Sequence, residues 1–245
     1  MIPGLWTNSD LTKAIGALEE VLSSVRAEPK EWKEYVLWQK DIPDQQLDDI
    51  PIRRIQDALA QIYIVSDIAM HHPNLRRMIL SPNCIAAASY LLGGNIICHF
   101  SNFTGRAAEI GASCQWHRDW PNAYCSTRDG SQIRLMICLD GMESGQGVTR
   151  VIPGSQHWDD MTFRCWQQQR LPLNSTGKTL QCPPGGMIVL GPTIVHGAEA
   201  NRSNKPRRNL IVQWGRQHDP LSTQLAESLT GYIPHSQAFF TQVQS

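Results

Sequence analysis

The sequence has no excess of charge of either sign. Its 22 lysine and arginine residues equal its 22 aspartate and glutamate residues, so the formal net charge at pH 7 is zero. A balanced chain has no long-range field that would attract polyanions such as nucleic acids or anionic membranes. We therefore expect a small molecule as the partner, with no nucleic acid and no membrane; the oligomeric state is left open.

Disulfide and zinc patterns are also missing. The seven cysteines are an odd number, and no two of them have the two-residue gap of a zinc knuckle or a redox motif. The chain does not open with a basic segment followed by an apolar one, so no signal peptide is predicted. Its most apolar run, Leu91–Phe100, is far shorter than the about 20 residues of a membrane helix. These absences predict buried, reduced thiols and a cytoplasmic protein.

The residue pattern divides the 245 residues into three parts of one predicted domain. Residues 1–92 read as mainly helical support, because apolar residues recur at helical spacing in Ser9–Arg26, Ile52–His71 and Pro82–Leu92. Residues 93–217 contain short β-branched and aromatic runs between turn signals, which predicts an antiparallel sandwich or barrel. Residues 218–245 form a C-terminal extension, with a short helix predicted over Leu221–Leu229. The predicted strands are Ile96–Phe103, Cys114–His117, Ile133–Leu139, Val148–Ile152, Met187–Leu190, Thr193–His196 and Asn209–Trp214.

Two histidines and one aspartate have the pattern of a metal site. His117 and Asp119 are two residues apart, so a strand would place both side chains on one face. His196 follows a strand-like run and could reach the same metal from a second strand. Two histidines and a carboxylate on one face of Fe(II) leave three positions open for O2 chemistry. By itself the H-x-D tripeptide is weak, because it also occurs as an exposed acid near a core histidine.

The residues after His196 make the pattern specific. Asn201-Arg-Ser203 follows, then Arg207 eleven positions after His196; Gln146-Gly147 and Pro153-Gly154-Ser155-Gln156 lie between the two metal-bearing segments. In these features, over roughly residues 91–215, the chain resembles the phytanoyl-CoA dioxygenase family of Fe(II)- and 2-oxoglutarate-dependent oxygenases.

The resemblance implies a mainly β fold with flanking helices: a double-stranded β-helix, the jelly-roll or cupin-like barrel, behind an N-terminal helical region. It implies Fe(II), 2-oxoglutarate and O2 as cofactors, and oxidation of a small molecule with release of succinate and CO2. Hydroxylation is the first expectation, and specialised, natural-product metabolism is the expected setting. Epimerisation, cyclisation and desaturation stay open, whereas Asp119 argues against halogenation because halogenases in this group lack the carboxylate.

The family arginine has one competitor, its neighbour Arg208. A guanidinium suits the far carboxylate of 2-oxoglutarate because it offers two parallel donors and keeps its charge. If Arg207 faces inward, alternation turns Arg208 outward together with Leu210, Val212 and Trp214, which would form an apolar surface for the helices to cover. We therefore predict Arg207 as the cosubstrate ligand; the alternative for it is a surface charge.

The chain departs from the family pattern at two positions. Many relatives carry a hydroxyl two residues after the second histidine, where this chain has Ala198, and the histidine of P-G-S-H is Gln156 here. The cosubstrate's hydrogen bonds must then be completed elsewhere. Asn102 and Thr104 are the candidates, because relatives place polar contacts on this strand; the alternative is an ordinary strand-end asparagine.

The remaining predictions concern the substrate. Trp120, Tyr124 and Arg134 lie near the metal motif and are predicted to line the substrate pocket, although aromatics beside a barrel strand are often core and Arg134 could be a salt-bridged strand residue. Residues Arg164–Arg170 form an insert, read as a lid or a polar loop. Two alternatives to a small-molecule oxygenase remain. One is an oxygenase acting on protein or nucleic acid, and the other is a non-catalytic cupin-like protein that binds a ligand or metal.

Overall fold

The structure is a computed structural model of the 245-residue chain. It describes residues 1–42, 50–121, 125–219, 221–222 and 227–234. The described helices are α1 (Asn8–Ala27), α2 (Ile55–Leu59), α3 (Ile68–His71), α4 (Pro73–Ile79), α5 (Pro82–Leu92) and α6 (Asp160–Gln167). The described strands are β1 (Val36–Trp38), β2 (Ile62–Ser66), β3 (Ile96–Arg106), β4 (Cys114–His117), β5 (Gln132–Cys138), β6 (Thr149–Val151), β7 (Lys178–Leu180), β8 (Gly186–Leu190), β9 (His196–Ala198) and β10 (Arg207–Arg216).

The strands form two antiparallel sheets. The larger sheet has the order β1-β2-β3-β10-β5-β8, and the smaller one has the order β4-β9-β6-β7. Buried side chains from both sheets, such as Met136 and Ile188 in the larger and Val148 beside the smaller, pack into one interior cluster. The fold is therefore the predicted mainly β fold with flanking helices and double-stranded β-helix character. The strand pairs of the described residues do not close the two sheets into a continuous barrel.

Helix α1 is defined by its own sequence. Thr7 caps it: its hydroxyl accepts from the backbone N–H of Asp10, and the Asp10 carboxylate accepts from the backbone N–H of Thr7. Its buried stripe includes Leu11, Leu18 and Val25. The helix begins one residue before the predicted Ser9 because the reciprocal cap lies at Thr7.

The main core lies between the helices and the outer face of the larger sheet. Leu210, Val212 and Trp214 of β10 are all fully buried there, in one cluster with residues of α1, α4 and α5. Along this strand alternate side chains point to opposite faces, so the residues between them point towards the other sheet. Among the described residues, no helix has the length and hydrophobicity needed to cross a membrane.

The predicted helix Ile52–His71 is wrong. The segment contains a short 3-10 turn, the short helix α2, strand β2 and the start of the α3 region. Strand β2 pairs with β1 on one side and with β3 on the other. Its residues Ile62, Ile64 and Val65 fit a helical stripe, but their β-branched side chains also suit a strand, and pairing with β3 decides the outcome.

Smaller corrections concern the ends of elements. Strand β3 continues three residues past the predicted Phe103, and β9 begins at His196 where the prediction ended. The segment 164–170, read as a lid or polar loop, lies largely in helix α6. Of the predicted helix Leu221–Leu229, residues 223–226 lie outside the described residues, and residues 228–229 form a turn. The division at residues 92 and 217 stays a prediction, although β1 and β2 extend the larger sheet into the N-terminal part.

Candidate metal and cosubstrate site

Three side chains meet between the two sheets at the end of β4. His117 is the last residue of β4 and is the register partner of His196, the first residue of β9. Asp119 follows two residues after His117. One potential ligand atom of each of the three lies within 4.8 Å of the others. The Asp119 Oδ1 atom is 3.9 Å from Nε2 of His117, and its Oδ2 atom is 3.7 Å from Nε2 of His196.

Backbone carbonyl groups fix the orientation of both imidazoles. Nδ1 of His117 lies 2.8 Å from the carbonyl oxygen of Gln115, and Nδ1 of His196 lies 3.0 Å from that of Ile194. A carbonyl oxygen can only accept, so each Nδ1 carries the proton and donates it. Each Nε2 thereby faces the Asp119 carboxylate. A carbonyl bonded to the second ring nitrogen is the usual support of a metal-binding histidine.

Electrostatics keep His196 and Asp119 in the protonation states that a metal requires. Burial lowers the pKa of His196 to about 4, with a contribution from the nearby His117, so its imidazole is neutral at ordinary pH. Burial alone would raise the pKa of Asp119, but the charges of Arg134, His196 and His117 outweigh it and lower that pKa. Asp119 is therefore an anion although only 4% of its surface is exposed.

Arg207 and Arg208 lie on opposite faces of β10. Arg207 is buried in the wall of the cavity that contains the three side chains, and its Nη1 donates to the carbonyl of Gly147. Arg208 instead turns to the helical side, where it pairs with Asp140 and with Glu19 of α1. The two arginines therefore face the sides that alternation along β10 predicts, and the role of Arg207 as cosubstrate ligand stays a prediction.

A second buried arginine, Arg106, lies beside Arg207. The two are register partners across β3 and β10, and Arg106 donates to the carbonyl of Ala112. Burial, with the repulsion of Arg106, lowers the pKa of Arg207 to about 9. Gly147 permits this packing, because its φ is +72° and a Cβ there would lie 2.8 Å from Cδ of Arg106. Arg106 was not predicted because the predicted strand ends at Phe103; alternation from Asn102 through Thr104 leads directly to it.

The predicted polar contacts Asn102 and Thr104 both line the cavity. The Asn102 Oδ1 and Thr104 Oγ1 atoms are buried without a hydrogen-bond partner among the described residues, as is Nε of Arg106. Tyr63 of β2 adds a hydroxyl 3.4 Å from Nη2 of Arg106. No sequence signal pointed to Tyr63, because its segment was assigned to a helix.

The cavity has a volume of about 310 Å³ and runs from the three donor groups to the arginine pair. Among the described residues of its wall, Asp119 is the single acid, whereas four arginines contribute to it: Arg106, Arg118, Arg134 and Arg207. Ala198 also lines it, opposite Cys114 across the pairing of β4 and β9. The electrostatic character of this wall favours an anionic ligand.

The three predicted substrate-pocket residues have different positions. Arg134 lines the cavity and pairs with Asp119. Trp120 is not among the described lining residues; its indole N–H donates to the carbonyl of Thr127 at 2.7 Å, and its ring packs on Gly130. Tyr124 lies outside the described residues. Thr127 thus provides the polar partner of the Trp120 indole, and a place for Trp120 in the substrate pocket stays a prediction.

Helix α6 covers an aromatic cluster beside the site. Trp166 of α6 packs edge-on against Trp116 of β4, with ring centroids 5.5 Å apart. Arg118, one residue after His117, donates to the carbonyl of Trp158 at 2.8 Å and lies over the ring of Phe163 at 4.5 Å. Arg118, which lies between His117 and Asp119 in the sequence, therefore connects the segment that carries the metal motif to helix α6.

Comparison with known proteins gives a consistent family. The family model described as phytanoyl-CoA dioxygenase matches residues 15–209. L-proline trans-4-hydroxylase of Streptomyces griseoviridis is 25% identical over 168 residues, which cover 57% of this chain and 62% of the relative. The dioxygenase olcK of Penicillium canescens is 31% identical over 101 residues, covering 39% of this chain and 31% of the relative. The chain spans less than two thirds of the length of these curated relatives.

Solved structures share the fold. EctD from S. alaskensis with bound Fe superposes with a TM-score of 0.66 at 16% identity, over 90% of this chain and 73% of that one. The α-ketoglutarate-dependent carbocyclase SnoK from nogalamycin biosynthesis gives a TM-score of 0.66 at 19% identity, over 88% and 78% of the two chains. The epimerase SnoN, in complex with Fe3+, α-ketoglutarate and nogalamycin RO, gives 0.62 at 15% identity, over 97% and 91%.

Proposed function

The chain belongs to the phytanoyl-CoA dioxygenase family, and from that premise we propose that it is a non-haem Fe(II)- and 2-oxoglutarate-dependent dioxygenase that oxidises a small organic molecule. Hydroxylation is the reaction we propose first, with succinate and CO2 as coproducts. The observation that carries this proposal is the convergence of His117, Asp119 and His196 in a cavity that also holds an arginine pair.

The donor set fits Fe(II). It consists of two imidazole nitrogens and one carboxylate, the ligand combination that leaves open positions on iron for oxygen chemistry. Both Nε2 atoms are directed to the same point because both Nδ1 atoms are bonded to backbone carbonyls. His117, Asp119 and His196 would hold the metal, and bound Fe(II) would supply the electron transfer that activates O2.

The arginine pair fits the far carboxylate of 2-oxoglutarate. Arg207 and Arg106 are both buried, and no acid other than Asp119 is present among the described residues of the wall. A dicarboxylate would neutralise their mutual repulsion and receive charge-assisted hydrogen bonds. The hydroxyl that relatives carry at the position of Ala198 would be replaced by polar groups on the other side of the cavity, Tyr63, Asn102 and Thr104.

The chain's own contribution is to bind and orient the reactants. The wall residues hold 2-oxoglutarate at its carboxylates, and the small volume of about 310 Å³ leaves little room for bulk water. In hydroxylation, a substrate C–H becomes C–OH with one atom of O2. The other oxygen atom enters succinate as 2-oxoglutarate loses CO2, so atoms and electrons balance.

The substrate is proposed to be a small polar molecule. A cavity of this size is at the low end of small-molecule sites, and the arginine-rich wall favours a carboxylate or another acceptor group. Relatives and neighbours include an L-proline hydroxylase and, from nogalamycin biosynthesis, a carbocyclase and an epimerase. We therefore propose natural-product or amino-acid oxidation, with epimerisation, cyclisation and desaturation as alternative outcomes of the same cofactor chemistry.

Succinate formation by anaerobically prepared protein supplied with Fe(II), 2-oxoglutarate and O2 tests the proposal. Wild type is compared with His117→Ala, Asp119→Ala and Arg207→Ala, and a panel of substrates includes L-proline and other amino acids. Arg208→Ala is the matched control, because it removes an arginine from the opposite face of the same strand. We expect loss of turnover in both ligand variants and a higher 2-oxoglutarate requirement in Arg207→Ala alone.

The alternative function is a cupin-like protein that binds a ligand or metal without turnover. It predicts that 2-oxoglutarate does not coordinate the bound iron, which is measured by the visible charge-transfer absorption of the anaerobic complex. Absence of that absorption in a folded, iron-loaded protein would exclude the oxygenase proposal.

A further inference from the structure

Arg134 has a position that the proposed function alone does not explain. It lies on β5, and its side chain is 13% exposed. Its Nη1 forms a direct ion pair with Oδ1 of Asp119. Its guanidinium also lies 5.3 Å from the centroid of the Phe100 ring. The guanidinium is therefore held against one oxygen of the carboxylate that we propose as a metal ligand.

The other side of Arg134 is anchored by Gln213. Arg134 Nε donates to Oε1 of Gln213 at 3.1 Å, and the two residues are register partners across β5 and β10. Gln213 is fully buried, and its amide nitrogen donates to the carbonyl of Cys125 at 3.3 Å and faces Nδ1 of His99 at 3.1 Å. Because its nitrogen is directed to these acceptors, its oxygen is fixed towards Arg134.

The anchor is itself part of a buried polar network. Gln132 donates to Oε1 of Gln213 at 3.4 Å, while its own Oε1 accepts from the backbone N–H of Thr127 at 2.7 Å. Networks of this kind, when their members are satisfied, hold one side-chain arrangement. Arg134 is thus pre-positioned by the fold rather than placed by Asp119.

Resting on the proposed function, we infer that Arg134 is a positioning residue that restricts Asp119 to one metal-coordinating oxygen. The two carboxylate oxygens are distinguished by their neighbours: Oδ1 is bound by Arg134, and Oδ2 lies 3.7 Å from Nε2 of His196. A lone pair directed into a charge-assisted hydrogen bond is not available to a cation. With Asp119 limited in this way, the remaining coordination positions stay open for the cosubstrate and O2.

The inference makes a specific prediction for Arg134→Met. Without the guanidinium, Oδ1 of Asp119 loses its charge-assisted hydrogen bond and can also coordinate the cation, and a positive charge near the cation is lost. Metal binding therefore persists or strengthens, whereas binding of a second, bidentate ligand to the metal weakens by on the order of tenfold, the effect of one charge-assisted hydrogen bond. Arg134→Lys keeps the positive charge with one donor group. Its affinity for the bidentate ligand is expected to lie between those of Arg134→Met and wild type.

Co(II) and catechol are suitable probes for the experiment. Co(II) reports coordination number through the intensity of its visible absorption, and catechol chelates the metal without a far carboxylate. Arg207→Ala is the matched control, since it should weaken 2-oxoglutarate binding but leave catechol binding unchanged. Arg134→Met should weaken both. If Arg134→Met does not fold, Gln213→Leu takes its place, because it removes the anchor and leaves Arg134 in the chain. It should weaken both affinities by a smaller factor.

The outcomes distinguish failure of the proposed metal site from failure of the proposed role of Arg134. Wild type that binds no Co(II) contradicts the proposed metal site itself. The role of Arg134 alone is contradicted if wild type binds Co(II) and catechol and a folded Arg134→Met or Gln213→Leu variant has the same Co(II) absorption and the same catechol affinity. Weaker chelation without loss of the metal supports it.

Discussion

At the scale of single residues, the protonation of His117 controls how a metal can enter the site. Burial alone would lower the pKa of this imidazole. The contact with Cys114 and the charge of Asp119 outweigh burial and raise that pKa to about 9 in the metal-free protein. The pKa of His196 is lowered to about 4 and that of Asp119 is lowered as well. Burial would raise the pKa of the Cys114 thiol, but the charge of His117 outweighs it and lowers that pKa to about 6. Between about pH 6 and 9, a metal that displaces the proton of His117 therefore passes it to Cys114 and does not release it to solvent.

Metal affinity should consequently change little between about pH 6 and 9 and fall below about pH 6. In that acidic range Cys114 already carries its own proton, so the proton of His117 must go to solvent and affinity should fall by about tenfold per pH unit. At pH 7 no net proton should be released for each Co(II) bound, which is measured with a pH indicator in weak buffer. Release of one or two protons would contradict the assigned states of His117, Cys114 and His196.

Arg106 and Arg207 should each contribute to binding of the cosubstrate. Truncation of either to Met removes hydrogen bonds to a charged group, each of about 1.5–3 kcal/mol, so we expect 2-oxoglutarate affinity to fall by roughly tenfold or more. The affinity is measured by titration of the anaerobic Fe(II) complex. Arg208→Met is the control, because Arg208 faces Asp140 on the helical side. An unchanged affinity in Arg106→Met would show that Arg207 acts alone.

At the scale of elements, Arg118 should determine the order of helix α6. Its guanidinium donates to the carbonyls of Ser155 and Trp158 at 3.2 and 2.8 Å and contacts the Phe163 ring. Arg118→Met leaves these carbonyls without their donor, so amide hydrogen exchange should increase across residues 155–167. Asp160→Asn is the control, because its carboxylate is 65% exposed and its pair with Arg118 should add little.

Elements differ in how far sequence alone predicts them. Helix α1 carries its own cap and apolar stripe, so its local sequence is enough. The sequence of strand β2 does not by itself specify a strand, because Ile62, Ile64 and Val65 fit both a helical stripe and a strand. Pairing with β3 decides between the two, and the sequence of the segment does not show that pairing. Helix α6 was missed because it is only eight residues long and none of them is fully buried, so Phe163 and Trp166 give too short an apolar pattern.

The candidate site follows the same rule. The positions of His117, Asp119 and Arg207 were predicted from family spacing and strand alternation, and both signals are local. Tyr63 was missed together with β2, since a wrong period misplaces every side chain on the segment. The ion pair between Arg134 and Asp119 connects two segments whose approach depends on the packing of the sheets, which spacing along the chain does not contain.

At the scale of the whole molecule, stability should depend on the layer between helices and sheet. Leu18 is fully buried in α1 within the main core. Leu18→Ala should lower the free energy of unfolding by about 2–5 kcal/mol through lost burial and a residual cavity. Chemical denaturation measures the change. Ile52→Ala is the matched control, because Ile52 is 88% exposed, and a similar loss in both variants would contradict this assignment of the core.

Cys165 makes helix α6 directly observable by labelling. All seven cysteines are described; Cys165 alone is exposed, Cys114 is half-buried and the other five are buried. A thiol-reactive fluorophore in limiting amount should therefore attach to the unmodified chain on α6, next to Trp166, whose indole can quench it. The chain thus carries a native spectroscopic reporter beside its candidate site, through which ligand binding can be followed in real time without any substitution.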